Sequence, residues 1–102
     1  MTRFNIFQIN HNRDTNGVIF RSYESTMRHQ QKITLSIYDR VWSENRSDVR
    51  DLEDIFEIFN LRHPEGYRGR SLSVSDVVEI VSSDIIDSGF YFVDSCGFEK
   101  IA

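Results

Sequence analysis

The sequence predicts a small α+β domain in which a mainly antiparallel sheet packs on one side against one principal helix at about residues 47–60. Short segments rich in β-branched and aromatic residues recur along the chain and predict strands. One longer segment instead carries apolar residues at helical spacing. Hydrophobic residues make up 39% and aromatic residues 13% of the 102 residues, which suits a single domain over residues 1–102 with a buried core.

The chain before the principal helix predicts two strands. Residues 2–10 alternate apolar and polar side chains, and apolar residues at both parities indicate that this strand is covered on both faces. A polar loop follows, and residues 18–27 permit a short helix because three of their apolar side chains lie at helical spacing. Residues 33–42 are rich in β-branched and aromatic side chains and predict the second strand.

The principal helix has predicted capping residues at both ends. Ser47 is the expected N-cap, and Asp48 and Asp51 place carboxylates in the first turn, where they favour the helix dipole. Asn60 is the expected last residue, because Pro64 prevents the helix from continuing. The apolar stripe that faces the core is predicted to consist of Val49, Leu52, Phe56 and Phe59, widened by Ile55 and Ile58.

The chain after the helix predicts a loop and three strands. Two glycines and the only proline place a loop at residues 62–73. β-branched and aromatic residues predict strands at residues 74–81, 90–93 and 98–101. Gly97 precedes the last of these and indicates a backbone position with positive φ. Phe98 is expected to pack under the helix with Phe56 and Phe59.

Charge and composition restrict the class of protein. Twelve Lys and Arg against sixteen Asp and Glu give a net charge of -4, so an overall positive field that attracts nucleic acid is absent. No apolar run approaches the roughly 20 residues that span a bilayer, and the N-terminus lacks the apolar region of a signal peptide. A single cysteine forms no intrachain disulfide. We therefore expect a cytoplasmic protein without a membrane partner.

No catalytic residue, metal ligand or cofactor is predicted. The three histidines lack the spacing of a helical metal-binding pair. Asp94 lies close to Cys96 in sequence and disfavours a thiolate there, so a structural role is expected for this cysteine. Residues 69–73 (GRSLS) lack the second glycine of a serine-hydrolase nucleophile elbow.

The surface expected to bind a partner is polarised between an acidic helix face and a basic loop. A tyrosine between arginines in the loop is a small stacking platform of the kind that binds nucleic acid. The alternative interpretation is a solvated helix face beside an ordinary polar loop. The residues assigned to binding are Arg62, Tyr67, Arg68 and Arg70 in the loop and Asp51, Asp54 and Glu57 on the helix.

Several segments of the chain resemble the YodL-like domain. They are residues 52–60 of the helix, the pair at 63–64, residues 69–78 (GRSLSVSDVV), residues 90–95 (FYFVDS) and the pair at 97–98. Upstream, residues 7–8 and 37–39 also fit the usual opening strands of the family. The resemblance covers nearly the whole chain and is strongest over residues 52–98. Arg70 stands where the family commonly has histidine, and Cys96 occupies a variable position.

The resemblance implies a domain carried by phages, plasmids and conjugative elements, with no established enzymatic chemistry. From that setting we expect a non-enzymatic inhibitor of the anti-CRISPR type, which binds a host defence protein or nucleoprotein in the bacterial cytoplasm, with a Cas9-like effector as target. The alternatives are a nucleic-acid-binding accessory module acting through the Arg62–Arg70 loop, and an enzyme using Ser71, Ser73 or Cys96. The motif residues expected to define the fold are Ser71, Ser73, Ser75, Asp76, Asp94, Gly97 and Phe98.

Overall fold

A computed structural model describes the whole chain from Met1 to Ala102 and confirms the α+β fold class. It has five strands and two α-helices, with a short 3-10 turn at Leu35–Ile37. Neither helix has the length and apolar composition needed to cross a membrane. In chain order the elements are β1 (Thr2–Ile9), α1 (Tyr23–Gln30), β2 (Tyr38–Arg46), α2 (Leu52–Leu61), β3 (Val77–Ser83), β4 (Gly89–Val93) and β5 (Phe98–Lys100).

The five strands form one open antiparallel sheet in the order β2-β1-β3-β4-β5. β1 therefore lies inside the sheet between β2 and β3, and β2 and β5 are its edges. Two β-bulges interrupt the pairing with β1. Val41 is the extra residue in β2 and Val81 is the extra residue in β3.

One face of the sheet packs against α2. The rings of Phe4 on β1 and Phe59 on α2 meet edge to face, with their centres 6.0 Å apart. The buried side chains of this larger core come from α2, three strands and the segments that flank the helix. They are Phe4, Ile6, Val49, Ile55, Ile58, Phe59, Leu72, Val78, Ile80, Tyr91 and Val93.

The opposite face of the sheet packs against α1 and the segments around it. Tyr23 of α1 lies 5.6 Å from the ring of Phe92 on β4. The buried members of this smaller core are Ile9, Val18, Tyr38, Val77 and Phe92. The sheet is thus covered on both faces, as the pattern of β1 indicated. The predicted packing against a single helix on one side is therefore incomplete, because α1 covers the second face.

The predicted start of the principal helix is wrong. α2 begins at Leu52, and the N-cap is Asp51, whose Oδ1 accepts a hydrogen bond from the Asp54 amide at 2.9 Å. Ser47 is exposed and lies between β2 and the helix. β2 continues to Arg46, whose guanidinium binds both oxygens of Asp48 at 2.8 Å, so this acid belongs to the connection and not to the first turn.

Two strand boundaries also differ from the predicted ones. The second strand was expected at residues 33–42 but spans Tyr38–Arg46, because pairing begins opposite Ile9. Before it, Ile33 and Ile37 pack against the smaller core from a turn. The third strand was expected at residues 74–81 but begins at Val77, since residues 73–76 form a tight turn.

The buried stripe of α2 is rotated relative to the predicted one. Ile55, Ile58 and Phe59 are buried, whereas Phe56 is 36% exposed and Leu52 is only half-buried. Phe98 is half-buried and packs against the larger core, and it lines a surface pocket together with Phe56. Gly97 has a φ of 86°, which confirms the predicted backbone conformation.

The orientation of α2 predicts unequal costs for removing its two phenylalanines. Phe59→Ala should lower the free energy of unfolding by about 3–5 kcal/mol because it leaves a cavity between sheet and helix. Phe56→Ala should cost about 1 kcal/mol or less because its ring is partly in water. Urea denaturation followed by the fluorescence of Trp42, the only tryptophan, measures both. Equal costs would contradict this orientation.

Candidate functional site

An open groove with a volume of about 340 Å³ lies between the end of β1, the start of β2 and the loop before β3. The bulge at Val41 turns β2 at this groove. Two of the four loop residues predicted to bind a partner, Arg68 and Arg70, lie on its wall. The complete lining is Gln8, Ile9, Asn10, His11, Asn12, Asp39, Val41, Arg68, Gly69 and Arg70.

The loop wall of the groove is held by the buried side chain of Gln8. Gln8 Oε1 accepts a hydrogen bond from the Arg70 amide at 3.0 Å. Its Nε2 donates to the Arg70 carbonyl at 2.9 Å and to Asp76 Oδ2 at 3.0 Å. Both amide hydrogens and the amide oxygen are therefore in use, and the loop is fixed to β1 on the same face as Phe4 and Ile6.

Tyr67 closes the same loop and is not a free stacking platform. Its hydroxyl donates to the Arg70 carbonyl at 2.6 Å. Its ring lies 5.0 Å from the ring of Phe59 and 5.7 Å from that of Trp42, against the larger core. Burial, and then the charge of Asp76, raise the pKa of Tyr67 to about 12. The binding role predicted for an exposed aromatic ring does not fit this position.

Gly69 is required by the close approach of its neighbours. A Cβ at this position would lie 2.5 Å from Tyr67 Oη and 3.0 Å from Gln8 Oε1. Any larger residue would therefore push apart the two side chains that hold the loop.

Asp76 lies beneath the loop with no exposed surface. Its Oδ2 accepts from the Ser73 amide at 2.8 Å and from Gln8, while its Oδ1 has no hydrogen-bond partner. Burial raises the pKa of this carboxyl to about 7, although the two hydrogen bonds and the charge of Arg70 act in the opposite direction. The carboxyl therefore changes charge near neutral pH, inside the support of the loop.

Two strained turns meet beside this network. Asp76 N donates to the Ser73 carbonyl across a turn whose third residue, Ser75, has a φ of 82°. Arg21 N donates to the Val18 carbonyl across a second turn, whose third residue is Phe20 with a φ of 65°. Glycine or asparagine is the usual residue at such positions.

These two strained residues are hydrogen-bonded to each other. Phe20 N donates to Ser75 Oγ at 2.9 Å. The Tyr38 hydroxyl donates to the Ser75 carbonyl at 2.6 Å, and Ser75 is buried. Burial is the main cause of the raised pKa of Tyr38, and the charges of Asp76 and Asp14 add to it. Backbone strain of this kind persists where the surroundings hold it, and it concentrates at functional sites.

The arginines of the predicted binding loop lie in different environments. Arg70 is half-buried, and its Nη2 donates to the Ile9 carbonyl at 3.1 Å. Its Nε is buried without a partner, and its Cζ lies 6.0 Å from the centre of the Phe20 ring. Arg68 is exposed on the groove, whereas Arg62 is exposed at the end of α2 and does not line it.

The acidic residues assigned to binding lie away from the groove, and two of them serve the start of α2. Asp51 is the N-cap. Asp54 binds Arg50 at 3.0 Å, and this hydrogen bond is the main reason why its pKa falls to about 2. Glu57 is exposed on the helix surface. The structure therefore does not bring the acidic and basic binding residues together.

The remaining motif residues make contacts within the fold. Asp94 Oδ1 accepts from the Tyr23 amide at 3.0 Å and from the Ser95 amide at 2.8 Å, which ties the start of α1 to the turn after β4. Ser73 Oγ donates to the Ser71 carbonyl at 2.9 Å. Cys96 is an exposed thiol in the turn between β4 and β5.

One contact resembles a nucleophile with its base. His63 Nε2 lies 3.2 Å from Ser71 Oγ but also 2.7 Å from the Phe59 carbonyl. A carbonyl oxygen only accepts, so this nitrogen carries a hydrogen and has no lone pair for the serine in that tautomer. No group of three His, Cys, Asp or Glu side chains has the geometry to hold a metal ion.

The sequence analysis placed Gln8 and Tyr38 only in the opening strands of the family resemblance, and it assigned neither of them, nor Phe20, to this region. Gln8 shares the parity of Phe4 and Ile6 on β1, and a polar residue on a buried face was a usable signal. Phe20 carried no such signal, because turns of its kind are recognised by glycine or asparagine.

Comparison with known proteins gives one match. The family model of the YodL-like domain matches residues 3–102. No curated protein and no solved structure gave a match to this chain.

The buried Asp76 predicts a stability that falls as the pH rises. In the folded chain its carboxyl keeps a proton up to about pH 7, whereas in the unfolded chain it releases the proton near the ordinary value of 3.8. The folded state therefore binds more protons between these values. The stabilisation that comes from the protonated Asp76 carboxyl is complete below about pH 4 and is lost as the pH rises toward 7. Over this interval the unfolding free energy falls by at most about 1.4 kcal/mol per pH unit.

The variant Asp76→Asn stays uncharged at every pH and should lack this fall. Urea denaturation from pH 4 to pH 8 should therefore show the variant gaining stability relative to the natural chain as the pH rises. Asp87→Asn, at an exposed carboxylate, is the matched control. Parallel profiles for Asp76→Asn and the natural chain would contradict the assignment.

The strain at Ser75 predicts an order of stability for two variants. Ser75→Ala and Ser75→Gly both remove the acceptor for the Phe20 amide, but only glycine relieves the positive φ. Ser75→Gly should therefore be more stable than Ser75→Ala by about 1 kcal/mol in urea denaturation. An alanine variant as stable as the glycine variant would show that the turn is not strained.

Proposed function

The chain belongs to the YodL-like domain family, and we propose that it is a non-enzymatic inhibitor that binds a host defence nucleoprotein through the groove and its loop wall. The expected target is a Cas9-type effector. The resemblance supports this target because it implies a domain carried by phages, plasmids and conjugative elements. On this proposal the protein acts in the cytoplasm of the bacterial host.

The observation that carries the binding role is the rigid support of the loop. The Arg70 backbone forms three hydrogen bonds, two with the Gln8 side chain and one with Tyr67. Arg68, two residues earlier, is exposed on the groove. A side chain presented from a fixed loop loses less conformational entropy on binding, and arginine is enriched among residues that dominate interface energies.

The alternative nucleic-acid-binding role receives less support from the same geometry. Tyr67, the proposed stacking residue, packs against Phe59 and Trp42. Arg70 is partly buried, so Arg62 and Arg68 are the exposed cations of the loop. Non-specific binding to a phosphate backbone draws on many cations, and the net charge of the chain is -4.

The proposed function predicts that Arg68 is needed for inhibition. The purified chain should form a complex with a Cas9-type effector in size-exclusion chromatography and reduce its DNA cleavage. Arg68→Ala should weaken the complex by about tenfold or more, because truncating an arginine that dominates an interface costs about 1.4 kcal/mol or more. Arg3→Ala removes an exposed arginine of β1 outside the groove and is the matched control.

Two results would contradict the proposal. One is the absence of a complex and of inhibition across apo and guide-loaded effectors from several subtypes. The other is binding of the chain to guide RNA or target DNA alone, with an affinity that falls steeply with salt. That result would support the nucleic-acid-binding module instead.

A further inference from the structure

The groove contains positively charged donors and a single carboxylate, Asp39, whose charge is balanced by an ion pair with Arg13. Asp39 accepts from Arg13 Nη2 and from Asn10 Nδ2, the latter at 2.8 Å. The hydrogen bond from Arg13 is the main cause of its lowered pKa, so this acid stays charged and paired. Neither Arg68 nor Arg70 forms an ion pair within the chain. The groove therefore has free donors for an anionic ligand.

Arg70 is held in place but only partly satisfied. One of its five N–H groups donates to the Ile9 carbonyl, and its Nε is buried without a partner. A buried unpaired donor is costly unless a partner arrives. Nη1 has no partner within the chain and is not among the buried unpaired atoms, so this fixed arginine has a donor for a carboxylate or phosphate in the groove.

Phe20 supports this arginine from the side. Its ring lies 6.0 Å from the guanidinium carbon, which is within the range of a cation–π contact. The ring is 53% exposed, and its backbone is held with positive φ by Ser75 Oγ. A bulky residue in this conformation carries strain that glycine would relieve.

We propose that the groove binds an acidic segment of the target protein, with Arg68 and Arg70 receiving its carboxylates and Phe20 positioning Arg70. This inference rests on the proposed function and names the chemistry of the partner. A protein carboxylate fits better than a nucleic-acid backbone because the groove is short and holds two arginines. The groove lining contains no further arginine or lysine with which to follow a phosphate backbone.

The test uses a capped hexaglutamate peptide as the probe and the ¹⁵N-labelled full chain. Titration should shift the backbone amides of Arg68, Gly69 and Arg70, together with the side-chain Nε–H signal of Arg70. Arg68→Gln should weaken binding by about fivefold or more, since it removes a charge-assisted contact at an exposed position where folding is not at risk. Arg3→Gln is the matched control and should bind as the natural chain does.

Phe20→Leu tests the positioning role. It should weaken peptide binding by about threefold and move the Arg70 Nε–H signal in the absence of peptide, because the cation–π contact is lost. An unchanged affinity with an unchanged Nε–H signal would remove Phe20 from the site.

The inference is overturned if the peptide shifts no groove residue or if Arg68→Gln binds as well as the natural chain. It is also overturned if a deoxythymidine oligonucleotide binds the groove more tightly than the peptide at equal salt. Inhibition of an effector without peptide binding would remove this inference and leave the proposed function intact. Peptide binding without any effector complex would remove the proposed target and retain the carboxylate site.

Discussion

The carboxamide of Gln8 lies between β1 and the loop before β3, and it bonds to both the amide and the carbonyl of Arg70 and to the carboxyl of Asp76. The Gln8 side chain thus pairs with the backbone of Arg70 as a neighbouring strand would, and it fixes the loop to the sheet. Because Gln8 is 2% exposed, water cannot replace these bonds without opening the core. The loop wall of the groove is therefore attached to the sheet at Arg70 by hydrogen bonds that are protected from water.

The same support explains why the region tolerates features that are costly alone. Four unfavourable features lie close together where Arg70, Phe20 and Ser75 meet. They are the unpaired oxygen of the buried Asp76 carboxyl, the buried unpaired Nε of Arg70, and the positive φ values of Phe20 and Ser75. Each is unfavourable in isolation. The two cores on opposite faces of the sheet hold the backbone on both sides of this cluster, so local strain is sustained by packing elsewhere.

The parts of the fold that were predictable follow local rules. Alternation placed β1, and i, i+3 spacing placed α2 with its buried Phe59. The helix start was missed because Ser47 and Asp51 are both good N-caps, and the continuation of β2 to Arg46 decided between them. The site is formed by residues that are far apart in sequence. Gln8 and Asp76, for example, are hydrogen-bonded although they are 68 positions apart, and a single sequence contains no signal for that contact.

β2 presents an outer edge of nine residues with no neighbouring strand. A flat edge of this length invites pairing between molecules and the growth of fibrils. The extra residue Val41 twists the strand, and charged side chains occur along it at Asp39, Arg40, Glu44 and Arg46. The bulge that shapes the groove is therefore also a feature of the kind that blocks strand pairing between molecules at an exposed sheet edge.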